Sequence, residues 1–208
     1  MRLRSWWPNM RQTITAELAK CEACQLSAKG KGASAPLHPL KPADEAFSRW
    51  GIDFIGLLPK TKRVNKWILV TVDYLTGWVI TQATIDATTE TTAKFIDENI
   101  TLTFGCPKEI ISDRGKQFTA ETLRTYLRIL EVNHKLTSAY HPQMNGKTER
   151  VNGIISTAIA KMVNNTKTNW DIFLPQATWA ARIRTNRSTG ISPYYLVFGQ
   201  KPKNTKRQ

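Results

Sequence analysis

The sequence predicts an α/β domain, a mixed five-stranded sheet flanked by helices. Three observations carry that prediction. Residues Trp50–Leu58 are apolar at nearly every position apart from Asp53, as in a strand buried on both faces. Two β-rich runs follow, Trp67–Val72 and Trp78–Thr81, joined around Thr76-Gly77 as in a hairpin. After them, helical periodicity alternates with short strand-like segments, the pattern of a sheet covered by helices.

The elements follow in order. Residues 9–26 read as a helix ending in Cys21-Glu22-Ala23-Cys24. Residues 27–46 are rich in Lys, Gly, Ala, Ser and Pro and read as a linker. After the three strands, Thr88–Phe104 has helical spacing and is stopped by Gly105 and Pro107. Glu109–Ser112 is a short strand, Phe118–Leu130 a helix and Val132–Leu136 another short strand. Ser138–Gly146 reads as a flexible loop. A long helix over Lys147–Asn164 carries Val151, Ile154, Ile155, Ala158 and Met162 as its apolar stripe. A last helix spans Asn169–Arg184.

The chain has 208 residues, 41% of them apolar, enough for one substantial core. Its 30 Lys and Arg against 16 Asp and Glu leave a net charge of +14. The excess is uneven. Residues 50–149 hold 12 basic and 11 acidic groups, whereas residues 150–208 hold 10 and 1, the single acid being Asp171. A basic tract of this kind suits a polyanionic partner. No apolar run approaches the ~18–20 residues that span a bilayer, and the N-terminus lacks the apolar stretch of a signal peptide. Three cysteines do not make a disulfide framework, so the chain reads as intracellular.

Three carboxylates stand out. Asp53 is the one charge in an apolar strand, and burying it unpaired costs several kcal/mol. A basic partner, a proton or a metal ion must neutralise it. Asp113 follows the strand Glu109–Ser112 directly, at the strand end where α/β folds place their sites, although turn chemistry explains an Asp there as well. Glu149 lies in the first turn of the long helix, a position the helix dipole favours in any case. Together, three carboxylates from three elements could converge on a pair of Mg²⁺ or Mn²⁺ ions, whose preferred ligands are hard oxygens. Such a pair serves phosphoryl displacement, with the basic tract holding the polyanionic substrate.

The flanking words carry a family resemblance. Asp53 and Asp113 lie 60 positions apart, and 35 residues separate Asp113 from Glu149. Around them stand Trp50-Gly51-Ile52-Asp53-Phe54, Ser112-Asp113-Arg114-Gly115-Lys116-Gln117-Phe118-Thr119 and His141-Pro142-Gln143-Met144-Asn145-Gly146-Lys147-Thr148-Glu149-Arg150. Ser192-Pro193-Tyr194-Tyr195-Leu196-Val197-Phe198-Gly199 follows. The set resembles the catalytic core of retroviral and retrotransposon integrases, closest to the Gypsy-type LTR retrotransposon enzymes, over roughly residues 5–202. The resemblance implies an RNase H-like fold. It also implies DNA integration, in which the enzyme trims element DNA ends and joins their 3′-hydroxyls to target DNA. Asp53, Asp113 and Glu149 would be the catalytic metal ligands, for Mg²⁺ or Mn²⁺. Gln143, Asn145, Lys147, Arg150, Asn152 and Lys161 are candidates for nucleic-acid contact. A homo-oligomer acting on chromosomal DNA in the nucleus is implied too.

The domain expectation is a zinc-module remnant over residues 1–26, the linker 27–46, the core 47–202 and a basic tail 203–208. Cys21 and Cys24 match half of the family's His-His-Cys-Cys zinc site, and no histidine stands at the other half, so zinc binding is not expected. The chain therefore reads as a truncated or degenerate copy. The alternatives are an inactive or domesticated nucleic-acid-binding protein, and a nuclease that cuts without joining.

Overall fold

The computed structural model describes residues 8–20, 43–137, 146–163, 167–186 and 189–203. The chain divides into two compact units, Met1–Leu37 and His38–Gln208. In the first, helix α1 spans Met10–Lys20, with Lys20 paired to Glu17 at 3.1 Å. The cysteine pair expected at its end, Cys21 and Cys24, lies outside the described residues. Among the described residues, no helix is long and apolar enough to cross a membrane.

The second unit is built on five strands: β1 (Arg49–Ile55), β2 (Trp67–Asp73), β3 (Val79–Thr84), β4 (Glu109–Ser112) and β5 (Asn133–Leu136). Their spatial order is β3-β2-β1-β4-β5. The first three run antiparallel, with Asp53 opposite Val70 and Thr71 opposite Ile80. β4 and β5 then add in parallel, with Gly51 opposite Ile111 and Ile111 opposite Lys135. The mixed five-stranded sheet is therefore the one the sequence predicts.

Local chemistry sets the element ends. Helix α2 (Thr89–Ile96) starts where the Thr88 hydroxyl accepts a hydrogen bond from the Thr91 amide at 3.2 Å. It passes through a π-helical turn at Asp97–Thr101 into the short α3 (Leu102–Phe104), which Gly105 ends at φ 89°. One helix was expected over Phe118–Leu130. The structure gives α4 (Lys116–Thr119) and α5 (Glu121–Ile129), because Ala120 between them is extended at ψ 139°. Helix α6 covers Gly146–Ala160, shorter than expected at its C-terminal end, and α7 covers Trp170–Ile183. A further helix, α8 (Pro193–Phe198), lies where only a family-like ending was read. Its signals were present in the sequence: a Ser192 cap, Pro193 in the first turn and Gly199 in the left-handed conformation at φ 66°.

Two hydrophobic clusters sandwich the sheet. Trp50 and Ile52 of β1 and Ile110 of β4 pack with Phe95 and Ile96 of α2 and with Leu123 and Leu127 of α5. Ile68, Val70 and Val72 of β2 pack with Val151, Ile155 and Ile159 of α6 and with Trp170, Leu174 and Ala177 of α7. Asp171, the single acid of the basic tract, is consumed structurally, accepting from Thr61 Oγ1 and Asn65 Nδ2 at 2.9 Å each.

Helix α6 lies tightly against the sheet at Gly51. A Cβ there would overlap the Thr148 hydroxyl and stand 2.7 Å from Tyr74 Cε2. Gly51→Ala is expected to lower stability by about 1–3 kcal/mol through overpacking, read as a lower urea midpoint with an unchanged m-value.

Candidate active site

Strand alternation decides where Asp53 points. Trp50 and Ile52 enter the cluster under α2 and α5, so Gly51 and Asp53 face α6. The Asp53 carboxylate is held from both sides. Its Oδ1 accepts the Phe54 amide and its Oδ2 accepts Asn152 Nδ2, each at 2.8 Å. Asn152 stands on α6 one turn beyond Glu149, which gives the two side chains neighbouring places on that helix.

Asp113 arrives from the other strand of the parallel pair. The register Gly51 to Ile111, continued two residues, carries Asp113 alongside Asp53 at the carboxyl ends of β1 and β4. Its Oδ1 accepts the Gly115 amide at 2.8 Å, closing a turn that leads into α4. Glu149 is solvent-exposed in the first turn of α6.

The electrostatics tie the three together. Asp53 is raised from an ordinary 3.8 to about 6, chiefly by burial. The bonds from Phe54 and Asn152 lower it, while the charges of Asp113 and, more weakly, Glu149 push it up. Other buried carboxylates have ample donors instead. Asp73 accepts from the Phe47 amide at 2.9 Å, the Thr76 amide at 2.7 Å and the Thr76 hydroxyl at 2.6 Å. Glu109 pairs with Arg49 at 2.7 Å and with Lys135.

The donor set suits a divalent cation bound partly through water. Among the described residues, no three His, Cys, Asp or Glu side chains stand close enough to enclose a metal by themselves. Mg²⁺ does not require such a cage, since it is commonly held by one or two carboxylates, with water and substrate phosphate filling its other positions. The mutual repulsion at Asp53 is what a cation would relieve. Asn152 Oδ1, buried with no hydrogen-bond partner among the described residues, adds a further oxygen at the same place.

The start of α6 is secured from below. Thr148 is fully buried over Gly51 beside the Tyr74 ring. Lys147 donates to the Tyr74 carbonyl and lies 6.0 Å from that ring's centre. Burial, more than the neighbouring Arg150, lowers its pKa. Tyr74 and Thr148 were not singled out in the sequence, because their role depends on a glycine 23 positions before Tyr74 leaving room for them.

Of the other expected contact residues, Arg150 and Lys161 are exposed, whereas Lys147 is half-buried and engaged by Tyr74. Gln143 and Asn145 lie outside the described residues. A cleft of about 670 Å³ runs beside α6, lined by Lys147, Arg150, Ile154 and Arg184 and by none of the three carboxylates.

Comparison with known proteins agrees with this geometry. Residues 43–142 match the family described as integrase core domain. The chain is 31% identical over 198 residues to the Pro-Pol polyprotein of simian foamy virus type 3 (strain LK3), covering 93% of this chain and 17% of that protein. It is 27% identical over 195 residues to the retrovirus-related Pol polyprotein from transposon 412 of Drosophila melanogaster, covering 94% of this chain and 16% of that protein. The chain thus spans about one sixth of the length of these relatives. A cryo-EM structure of the simian T-cell lymphotropic virus intasome, in complex with PP2A regulatory subunit B56 gamma, contains a similar chain. The match has a TM-score of 0.65 at 19% identity and covers 92% of this chain and 71% of that one. The RNase H-like fold expected from the sequence is therefore present.

The raised Asp53 gives a stability signature with a definite sign. A carboxyl whose pKa rises on folding binds its proton more tightly in the folded chain. Stability therefore falls as pH climbs from 3.8 towards about 6 and stays lower above it. Asp53→Asn removes that loss. In buffer free of divalent metal, the variant is expected to be more stable than wild type at pH 7 by up to about 3 kcal/mol, and equal to it below pH ~4, by chemical denaturation at each pH.

Proposed function

We propose, from the match of residues 43–142 to the integrase core domain family, that this chain is the catalytic core of a retroelement integrase. It trims the 3′ ends of element DNA with water and joins the new 3′-hydroxyls to target DNA. The observation that carries this reading is Asp53: a half-buried carboxyl, raised to about 6, with Asp113 and Glu149 both acting on it. Relatives in a virus and in a transposon support a retroelement origin, and transposon 412 supports a Gypsy-type one.

The residues divide the work. Asp53, Asp113 and Glu149 would hold Mg²⁺ or Mn²⁺, and Asn152 fixes the orientation of the Asp53 carboxylate through its amide. A divalent metal held there would supply Lewis-acid activation of the attacking oxygen and charge stabilisation of the leaving oxygen in a displacement at phosphorus. Arg150 and Lys161, both exposed, and Arg184 beside the cleft neutralise phosphodiesters without reading sequence. Lys147 contributes to α6 placement first, because its ammonium already bonds the Tyr74 carbonyl. Joining two ends requires two active sites, so the working form is a homo-oligomer on DNA, acting on chromosomes in the nucleus.

A disintegration assay on branched DNA tests the reading. Joining is expected with Mg²⁺ or Mn²⁺ and is expected to disappear with a chelator. Glu149→Gln should cost about 100-fold or more, since the metal interactions it disturbs are worth several kcal/mol. Metal-independent activity, or full activity in Glu149→Gln, defeats the proposal. Salt-dependent DNA binding with no joining would instead favour a binding protein without catalysis.

The phosphate contacts have their own readout. Arg150→Ala should weaken binding to unrelated duplexes by a similar factor and reduce the salt slope by about 1, measured by fluorescence anisotropy across a salt series.

A further inference from the structure

Ser112 is the last residue of β4, fully buried, and immediately precedes Asp113. Its Oγ donates to the Asp113 carbonyl at 3.0 Å and lies 2.9 Å from His134 Nε2. With the single hydroxyl proton directed at that carbonyl, the oxygen's lone pairs face His134, and Nε2 carries the hydrogen of the second bond. His134 stands on β5, an edge strand, half-buried. Burial, and then the nearby Arg124, lower its pKa, so the ring is neutral at ordinary pH and has one N–H to give.

Two further ties join the same places. The Thr137 amide donates to the Ser112 carbonyl at 2.9 Å, and Arg114 Nε donates to the Thr137 carbonyl at 3.2 Å. The turn at Asp113 is thus strapped to the end of β5 on both sides of the aspartate. Among these ties, the Ser112–His134 bond is made by side chains at both ends. The Ser112 bond to the Asp113 carbonyl restricts that residue's ψ, and the Gly115 bond to Oδ1 restricts its χ1.

We infer that His134 is a positioning residue for Asp113, acting through the Ser112 hydroxyl to set the direction in which that carboxylate meets the cation. The inference rests on the metal-binding reading of the triad. His134 does not touch the carboxylate. It orients the hydroxyl that orients the backbone bearing the carboxylate, a second layer of support of the kind metal sites use.

Mn²⁺ binding to the full 208-residue chain, followed by the loss of the free-ion EPR signal, tests it. His134→Ala and Ser112→Ala should each weaken Mn²⁺ binding about 10-fold, and the double variant should lose no more than either alone. His134→Gln, which presents an amide N–H at similar reach, should recover most of the affinity. Melting without metal checks that each variant folds, and if His134→Ala does not, Ser112→Ala against His134→Gln decides in its place. Unchanged affinity in the variants, additive losses, or no recovery with Gln overturns the inference alone. A wild-type chain that takes up no Mn²⁺ overturns the functional reading and this inference with it.

Discussion

The site depends on how closely α6 can approach the sheet at residue 51. A helix over a sheet is normally held off by side chains from both layers. Here β1 offers no side chain at Gly51, so the Thr148 hydroxyl and the Tyr74 ring occupy the space a Cβ would need. That contact fixes the height and rotation of α6. Once they are set, Glu149 and Asn152 fall near Asp53, and the amide of Asn152 reaches its carboxylate at 2.8 Å. The apolar stripe of Val151, Ile155 and Ile159 supplies most of the adhesion, while the contact at Gly51 supplies the register.

The second constraint is electrostatic. A fold that places Asp53 and Asp113 at one end of a parallel strand pair, with Glu149 near enough on α6 to act on Asp53, accepts repulsion, and Asp53 registers it together with its own burial. Elsewhere, the domain gives its buried acids donors or cations: Asp73 with three donors, Glu109 paired with Arg49 and Lys135, Asp171 with Thr61 and Asn65. The contrast separates acids matched by donors from Asp53, whose charge is opposed by burial and by its acidic neighbours. It also explains the charge distribution. The segment holding the triad is close to neutral, and the excess of positive charge lies beyond it, where Arg150, Lys161 and Arg184 are exposed.

Much of the fold was legible in the sequence because the strands carry strong local signals. The continuous apolar run around Asp53 and the turn at Thr76-Gly77 marked β1, β2 and β3 within a few residues. The break at Ala120 was not legible, since alanine is the best helix former and gives no local signal of the extended backbone it adopts. The start of β3 was read one residue early at Trp78, whose ring instead stacks under the Arg182 guanidinium at 4.1 Å. Helix α8 carries its own capping signals, Ser192 before Pro193 and Gly199 after Phe198, and they are local enough to be legible in sequence.

The sequence alone determined the three carboxylates, their order and the basic tract, because residue identity and spacing survive without coordinates. Asp53 stood out for a reason internal to its strand, a charge among apolar neighbours. What only the tertiary structure decided is which polar residues serve that charge. Asn152 and Lys147 looked alike on paper as contact candidates, yet one bonds the Asp53 carboxylate and the other the Tyr74 carbonyl. Tyr74, Thr148, Ser112 and His134 matter through partners distant in the chain. Such pairings depend on strand register and on the rotation of a helix about its axis, and no local pattern encodes either.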